Sequence, residues 1–224
     1  MKILAIIPAR KNSKRIKNKN KILLKNKKLI EHTFIVAKKS KLFTDILLTT
    51  DDREIIKISK KYNIIAPWLR PKKISGDFSS TYKVIVHAYD WYKENYEKVD
   101  GIFILQPTSP FRTIKTIKEM IKIFKTNNKK SVINVSKCNE HPEWMLKLKN
   151  KKMLPYLSQK YFTNRSQSLA KLYKINGLGY LINPLILKKE KTLIPKNAVP
   201  CINKSKIESL DIDDMQDYLI AKKI

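Results

Sequence analysis

Glycine is scarce in this chain: there are four in 224 residues, the first at position 76. A glycine-rich phosphate loop, whether of Walker spacing or of the dinucleotide G-x-G-x-x-G type, is therefore excluded from the N-terminal strand-to-loop junction. Cysteine is scarcer still. Cys138 and Cys201 stand far apart in sequence, which excludes a disulfide framework and a zinc site built from four thiolates. No apolar run reaches the roughly eighteen residues of a membrane span. The opening Met-Lys-Ile-Leu-Ala-Ile-Ile-Pro is too short for a secretory h-region, so the expected location is the cytoplasm. No repeat and no Pro- or Ser-rich linker divides the chain, so residues 1–224 are expected to form a single domain.

Acidic residues are few, 19 against 48 basic ones, for a formal net charge of +29. Clustered cations would suggest a nucleic-acid surface, because they gain affinity by releasing counterions from phosphates. Here the charge is spread along the chain, and Ile, Asn and Lys abound together, as an AT-rich coding sequence would produce. Arginine persists only at Arg10, Arg15, Arg53, Arg70, Arg112 and Arg165. Its planar fork makes bidentate contacts that lysine cannot.

The apolar residues fall in short blocks that alternate between two periods. Lys2 to Pro8 reads as a buried strand, followed by a polar loop from Ala9 to about Lys21 and a helix from Leu29 to Lys39. A strand from Thr44 to Thr50 precedes Asp51 and Asp52, N-cap candidates for a helix reaching about Tyr62. Next come a short strand at Ile64 to Ala66, a helix from about Ser80 to Asn95 and a strand from Gly101 to Leu105. A helix from Thr113 to Asn127 and a strand from Ser131 to Val135 follow. The alternation breaks over about 137–172, where Pro142, Pro155 and several aromatics interrupt any period, and this segment reads as an excursion. Strands at Tyr173 to Ile182 and Val199 to Asn203 and a helix from Met215 to Lys222 close the chain. Such an order implies an α/β fold of three layers, with a mainly parallel sheet between helices.

Three segments carry candidate chemistry. The first, Arg10-Lys-Asn12-Ser13-Lys14-Arg15 through Lys19-Asn20, follows a strand, where open α/β sheets bind ligands. It offers cations, hydroxyls and backbone amides, and reads equally as a solvated lysine-rich loop or as a cradle for a triphosphate. In the second, Ser209-Leu-Asp211-Ile-Asp213-Asp214, two carboxylates on one side of an extended segment would suit Mg²⁺, which takes a few carboxylates completed by water and phosphates. Asp213 or Asp214 reads alternatively as the cap of the last helix. The third, Gln106-Pro-Thr108-Ser109-Pro-Phe-Arg112, is a rigid turn at a sheet edge, or simply a strand-to-helix connection capped by Ser109 or Thr113.

Taken in order, I-P-A-R-x-N-S-K-R-x-x-x-K-N, Arg70-Pro71 with Asp77 and Ser80, L-Q-P-T-S-P-x-R, N-G-x-x-Y at Asn176 to Tyr180 and D-I-D at Asp211 to Asp213 resemble the acylneuraminate cytidylyltransferases. These are the CMP-sialic acid synthetases and their legionaminic- and pseudaminic-acid relatives, and the resemblance runs from residue 3 to residue 217. It implies a nucleotide-diphospho-sugar transferase type of sheet, with the excursion serving homodimer contact. It also implies Mg²⁺-dependent transfer of CMP from CTP to the anomeric hydroxyl of a nonulosonic acid, with release of pyrophosphate. The nucleotide-binding residues it implies are Arg10, Ser13, Lys14, Lys19, Asn20, Arg70, Ser80 and Thr81. Gln106, Thr108, Ser109, Arg165 and Tyr180 fall on the sugar-acid side, Asp211 and Asp213 on the metal, and Arg10, Lys19 and Asp211 carry catalysis. The chain departs from the pattern at Lys17-Asn18, where many members have Pro-Gly or Pro-Leu, and at Lys174, where arginine is common. The segment from Asn164 to Tyr173 is about one residue longer.

Three other readings stand beside this one. The acceptor could be 3-deoxy-manno-octulosonic acid, against which the Asn-Ser-Lys-Arg loop argues; the chain could bind RNA or another polyanion without catalysis; or the glycine-poor site could be inactive. Charge spread over a surface predicts that duplex DNA or RNA binds only weakly and without sequence preference. Between roughly 50 and 200 mM salt that binding should fall by orders of magnitude, as measured by fluorescence anisotropy, whereas CTP binding should persist. Tight, sequence-selective nucleic-acid binding at the higher salt, with no preference for CTP, would establish the binding-protein alternative.

Overall fold

The computed structural model of the chain describes residues 1–76, 79–138, 140–163 and 165–224. Asp77 and Asn164, named above, lie outside the described residues. In chain order the elements are β1 (Ile3–Ala9), β2 (Leu23–Leu24), β3 (Lys27–Lys28), α1 (Leu29–Ser40), β4 (Asp45–Thr50), α2 (Arg53–Lys60), α3 (Thr81–Asn95), β5 (Gly101–Ile104) and α4 (Ile114–Thr126). They continue with β6 (Val132–Lys137), β7 (Leu146–Lys149), β8 (Lys152–Pro155), β9 (Tyr173–Ile182), α5 (Pro184–Glu190), β10 (Val199–Asn203) and α6 (Met215–Lys223).

Six strands form one sheet in the order β10-β6-β9-β5-β1-β4, all pairs parallel except the two made by β9. The burial pattern of β1 explains its nearly unbroken apolar sequence. Ile3, Ala5, Ile7 and Ala9 face one core with Phe34 of α1, Ile55 of α2 and Phe124 of α4. Leu4 and Ile6 face the other, with Ile85 and Tyr92 of α3 and Leu187 of α5. Because successive side chains point to opposite faces, a strand covered on both must be apolar at every position. A third, smaller cluster of Ile16, Leu24, Leu29, Ile212 and Ala221 joins the N-terminal loop to the C-terminal segment.

The scarcity of glycine is met by Asn and Lys. Among the described residues, every non-glycine position with positive φ is one or the other, including Lys25-Asn26 between β2 and β3 and Asn150-Lys151 between β7 and β8. Asn tolerates the left-handed region because its short amide bonds locally, and two such residues in succession give the hairpin turn whose twist matches the strands. Asn18, in the glycine-free loop after β1, has φ 55° and so takes a left-handed turn.

Element boundaries fall close to the expectations, with three differences. Ile64 to Ala66 is not a strand, since Ile65 forms only an isolated bridge to Leu47. The excursion contains the hairpin β7–β8, which pairs only with itself. A short helix, α5, was not expected; Asn183 caps it and Pro184 begins it. Of the cap candidates, Asp52, Thr113 and Asp214 accept backbone N–H groups of α2, α4 and α6 respectively. No helix among the described residues is long and apolar enough to cross a membrane.

Two of the few glycines are required by packing. A Cβ on Gly179 would stand 2.6 Å from the Phe103 ring and 3.0 Å from Met120 Sδ, and one on Gly101 would press Leu181 and Phe124. Gly179→Ala should therefore destabilise the fold by about 1–3 kcal/mol, the usual cost of overpacking, measured as a lowered urea midpoint. An unchanged midpoint would mean that the Phe103 contact is not tight.

Candidate functional site

A cleft of about 590 Å³ lies beyond the carboxyl ends of β1, β4 and β5. Arg10, Ser13, Lys14, Arg15, Lys19 and Asn20 form one wall, Arg70, Ser75, Gly76, Ser79 and Thr81 another, and Gln106 and Thr108 a third. The loop from Arg10 to Lys21 is built without glycine. Ile16 anchors it in the third core cluster, the Asn20 amide donates to Arg10 O at 3.0 Å, and Lys11 N–H donates to Asp51 Oδ1 at 2.7 Å. Arg70 is buried, donating through Nε to Ser75 Oγ at 3.2 Å and pairing with Asp51 at 3.4 Å. Burial pushes the Arg70 guanidinium below its usual range; Asp51 opposes this and Arg10, a like charge in the same cleft, adds to it.

The C-terminal segment closes the cleft from the side of the loop. Ile212 is fully buried in the third cluster, its N–H donates to Thr108 O at 2.8 Å and its carbonyl accepts from Lys19 Nζ at 2.9 Å. Pinned in this way, its two neighbours open onto different spaces. Asp213 lines the cleft and pairs with Lys19 and Arg15, each at 3.0 Å. Asp211 lines a second cleft of about 740 Å³. Burial pushes the Asp211 carboxyl up; the Thr108 hydroxyl opposes this and Asp213 reinforces it. Its Oδ1 is buried without a protein hydrogen-bond partner.

The second cleft is lined by Lys137, Lys174, Lys204 and Lys206, with Tyr173, Ile175 and Ile202 as its apolar surface. Its floor is a polar network: Asn176 Nδ2 donates to Asn134 Oδ1 at 2.7 Å and to Ser136 Oγ at 2.8 Å, and Ser136 Oγ meets Ser209 Oγ at 2.8 Å. Next to Asn176, Gly177 has φ +74°, and a Cβ there would stand 2.9 Å from Gln106 Oε1 and 3.3 Å from Asp211 Oδ2. Fully buried Arg112 fixes this corner, donating to Leu178 O, to Gln106 O at 2.8 Å and to Thr33 Oγ1 at 3.5 Å. Burial lowers its guanidinium to about 10, with Asp211 and Glu208 opposing.

Of the residues singled out in the sequence, Arg10, Ser13, Lys14, Lys19, Asn20, Arg70, Thr81, Gln106, Thr108 and Asp213 line the first cleft, and Asp211 the second. The two carboxylates thus stand at the junction of two spaces rather than facing one. Ser80 is exposed at the start of α3, while its neighbour Ser79 is the serine that lines the cleft. Ser109 is buried with its hydroxyl unpartnered, beside the Gly177 corner. Tyr180 is buried in the second core cluster, and Arg165 is exposed in the excursion; neither lines either cleft. Sequence reasoning missed the long-range roles of Asp51 and of Asn134, Ser136 and Ser209; for Asp51, the doublet with Asp52 at a strand end was the available signal. The histidines serve structure: His32 bonds Leu24 O, His87 packs against Trp68 and His141 accepts from Glu143 N.

Residues 4–224 match the family model described as Cytidylyltransferase. The chain is 32% identical over its whole length, and over 96% of the relative, to the CMP-N,N'-diacetyllegionaminic acid synthase of Legionella pneumophila. It is also 32% identical to the N-acylneuraminate cytidylyltransferase of Escherichia coli O18:K1:H7, matching over 98% of its own length but spanning 51% of that protein. Among solved structures, a CMP:2-keto-3-deoxy-manno-octonic acid synthetase complexed with CTP superposes over all of both chains with a TM-score of 0.68 at 14% identity, a likeness of fold alone. The match over nearly the whole chain, on the α/β scaffold described above, shows that it belongs to the cytidylyltransferase family and is a nucleotidyltransferase.

Proposed function

We propose that the chain transfers CMP from CTP to the anomeric hydroxyl of a nonulosonic acid of the sialic type, with release of pyrophosphate. One observation carries this reading: the Asp211-Ile212-Asp213 segment stands between a cleft lined by arginine and lysine and a second cleft lined by lysines. A triphosphate and a sugar carboxylate are both anions, and a reaction joining them needs two cationic spaces that meet.

In this reading the triphosphate lies against Arg10, Ser13, Lys14 and Lys19, with Asn20 holding the backbone of Arg10. Arg70 and Thr81, with Ser79 in place of the exposed Ser80, serve the cytosine end. Gln106, Thr108, Ser109 and the second cleft receive the sugar acid, its carboxylate facing lysines; Tyr180 and Arg165, which line neither cleft, have no direct part in this reading. The anomeric hydroxyl oxygen forms its bond to the α-phosphorus as the bond to the bridging oxygen breaks, its proton passes to water, and the cations neutralise the charge gathered on the departing pyrophosphate. Asp211 and Asp213 would hold Mg²⁺. The donor set fits at Asp211, whose Oδ1 is buried without a protein partner; Asp213, whose two oxygens pair with Lys19 and Arg15, would join by exchanging one of those pairs for the ion. When bound, the ion supplies charge neutralisation at the phosphates. Arg10, Lys19 and Asp211 are the residues on which the chemistry rests.

The hairpin and its flanks expose Trp144, Leu148, Met153 and Tyr156, an apolar surface suited to a second copy of the chain, so the working unit in this reading is a homodimer. Leu148→Glu together with Met153→Glu should shift the molecular mass by light scattering from dimer to monomer. A wild-type monomer at micromolar concentration would contradict this assignment.

Pyrophosphate release from CTP, Mg²⁺ and a panel of nonulosonic acids tests the reaction directly. Turnover should occur with at least one nonulosonic acid and exceed that with 3-deoxy-manno-octulosonic acid. Asp211→Asn should lower kcat by roughly a hundredfold or more while leaving the folded state intact, since it removes charge stabilisation and not core packing. Near-normal turnover of the folded variant would remove Asp211 from the mechanism.

A further inference from the structure

The loop from Arg10 to Lys21 must hold several cations in one arrangement without the glycines that usually shape a phosphate cradle. The structure places its constraint outside the loop, in the Asp51-Asp52 doublet that ends β4. Asp51 Oδ1 accepts the Lys11 N–H at 2.7 Å where the loop begins, and the same oxygen faces the Arg70 guanidinium at 3.4 Å. Asp52 Oδ2 pairs with Lys21 Nζ at 3.0 Å where the loop ends. The doublet therefore grips both ends of the loop and one residue of the opposite wall. Asp52 also caps α2, accepting from Glu54 N at 2.9 Å; Asp51 makes no cap contact, and its side chain is 22% exposed.

We propose that Asp51 is a positioning residue for nucleotide binding, fixing the start of the cationic loop and the buried Arg70 in the geometry that receives the triphosphate end and the base end of one ligand. Two like charges, Arg10 and Arg70, face the same cleft and repel in the absence of ligand. A carboxylate behind them, touching one guanidinium and the backbone next to the other, offsets that repulsion before the nucleotide arrives. Preorganisation of this kind raises affinity by removing the ordering cost from the binding step. The identity of the ligand as CTP rests on the function proposed above, whereas the constraint on the loop does not.

Two measurements on the full chain separate these points. In the unliganded protein, Asp51→Ala should speed amide hydrogen exchange over residues 11–20 by at least about tenfold, while exchange in β1, β5 and β9 stays as in the wild type. By calorimetry with Mg²⁺ present, Asp51→Ala should weaken CTP binding about ten- to a hundredfold, the scale of a lost hydrogen bond to a charged group. Asp51→Asn, which keeps an oxygen for Lys11 N–H but loses the charge, should restore loop protection and recover only part of the affinity. Unchanged loop exchange in Asp51→Ala would overturn the proposal. So would CTP affinity within twofold of wild type, or faster exchange throughout the sheet, which would make Asp51 a general stability residue. Failure of the wild-type chain to bind CTP, with the loop still loosened by Asp51→Ala, would instead reject the cytidylyltransfer reading and with it the nucleotide role of Asp51.

Discussion

The site depends on the burial of one isoleucine between two aspartates. Ile212 contributes an apolar side chain to the third core cluster, and its own peptide groups are held by Thr108 O and Lys19 Nζ. Burying such a side chain is worth about 1.5–3 kcal/mol, enough to set the position of an otherwise extended segment. With Ile212 fixed, Asp213 must meet the loop cations and Asp211 must meet the turn at Gln106 to Ser109. The N-terminal loop and the C-terminal segment, nearly two hundred residues apart, thereby become two walls of one cleft.

The first cleft gathers several cations in one space. Arg10 and Arg70 oppose each other, and partial relief comes from the acids placed among them: Asp213 beside Lys19 and Arg15, Asp51 beside Arg70 and Asp52 beside Lys21. Breaking the largely buried pairs of Asp52 with Lys21 or Asp51 with Arg70 leaves an uncompensated charge, whereas the exposed Arg15–Asp213 pair is screened by solvent. The large positive surface charge is a separate matter. It lies mostly on exposed lysines, whereas four arginines have specific work at the site: Arg10, Arg15 and Arg70 line the first cleft and Arg112 braces the corner behind it.

Much of this was legible in the sequence because it is written in local signals. Burial on both faces made β1 continuously apolar, and the capping residues Asp52, Thr113 and Asp214 stood where helical periodicity began. The hairpin β7–β8 was hidden because each strand has only four residues, and the Leu-Lys alternation of β7 marks no buried face, every one of its residues being exposed. The apparent strand at Ile64 to Ala66 is apolar because it packs beside β4, yet it pairs only through Ile65. Tyr180 is ambiguous for the opposite reason. The C-terminal half of β9 is buried on both faces, so its sequence does not reveal which side chains reach a cleft and which enter the core. The bridging role of Asp51 is a contact across 40 residues to Lys11 and 19 to Arg70, so the doublet with Asp52 marks the residue but not its partners.

The central claim is that Asp211 and Asp213, held apart by Ile212, act together on one ligand at the junction of the two clefts. The most direct measurement is a crystal structure of the chain grown with CTP and Mn²⁺ in place of Mg²⁺, with the metal located by its anomalous scattering. The account predicts a metal peak within about 2.5 Å of an oxygen of Asp211 or Asp213 and bridged to the triphosphate, which lies along Arg10, Lys14 and Lys19. A metal bound away from both carboxylates, or a nucleotide seated outside the first cleft, would contradict it.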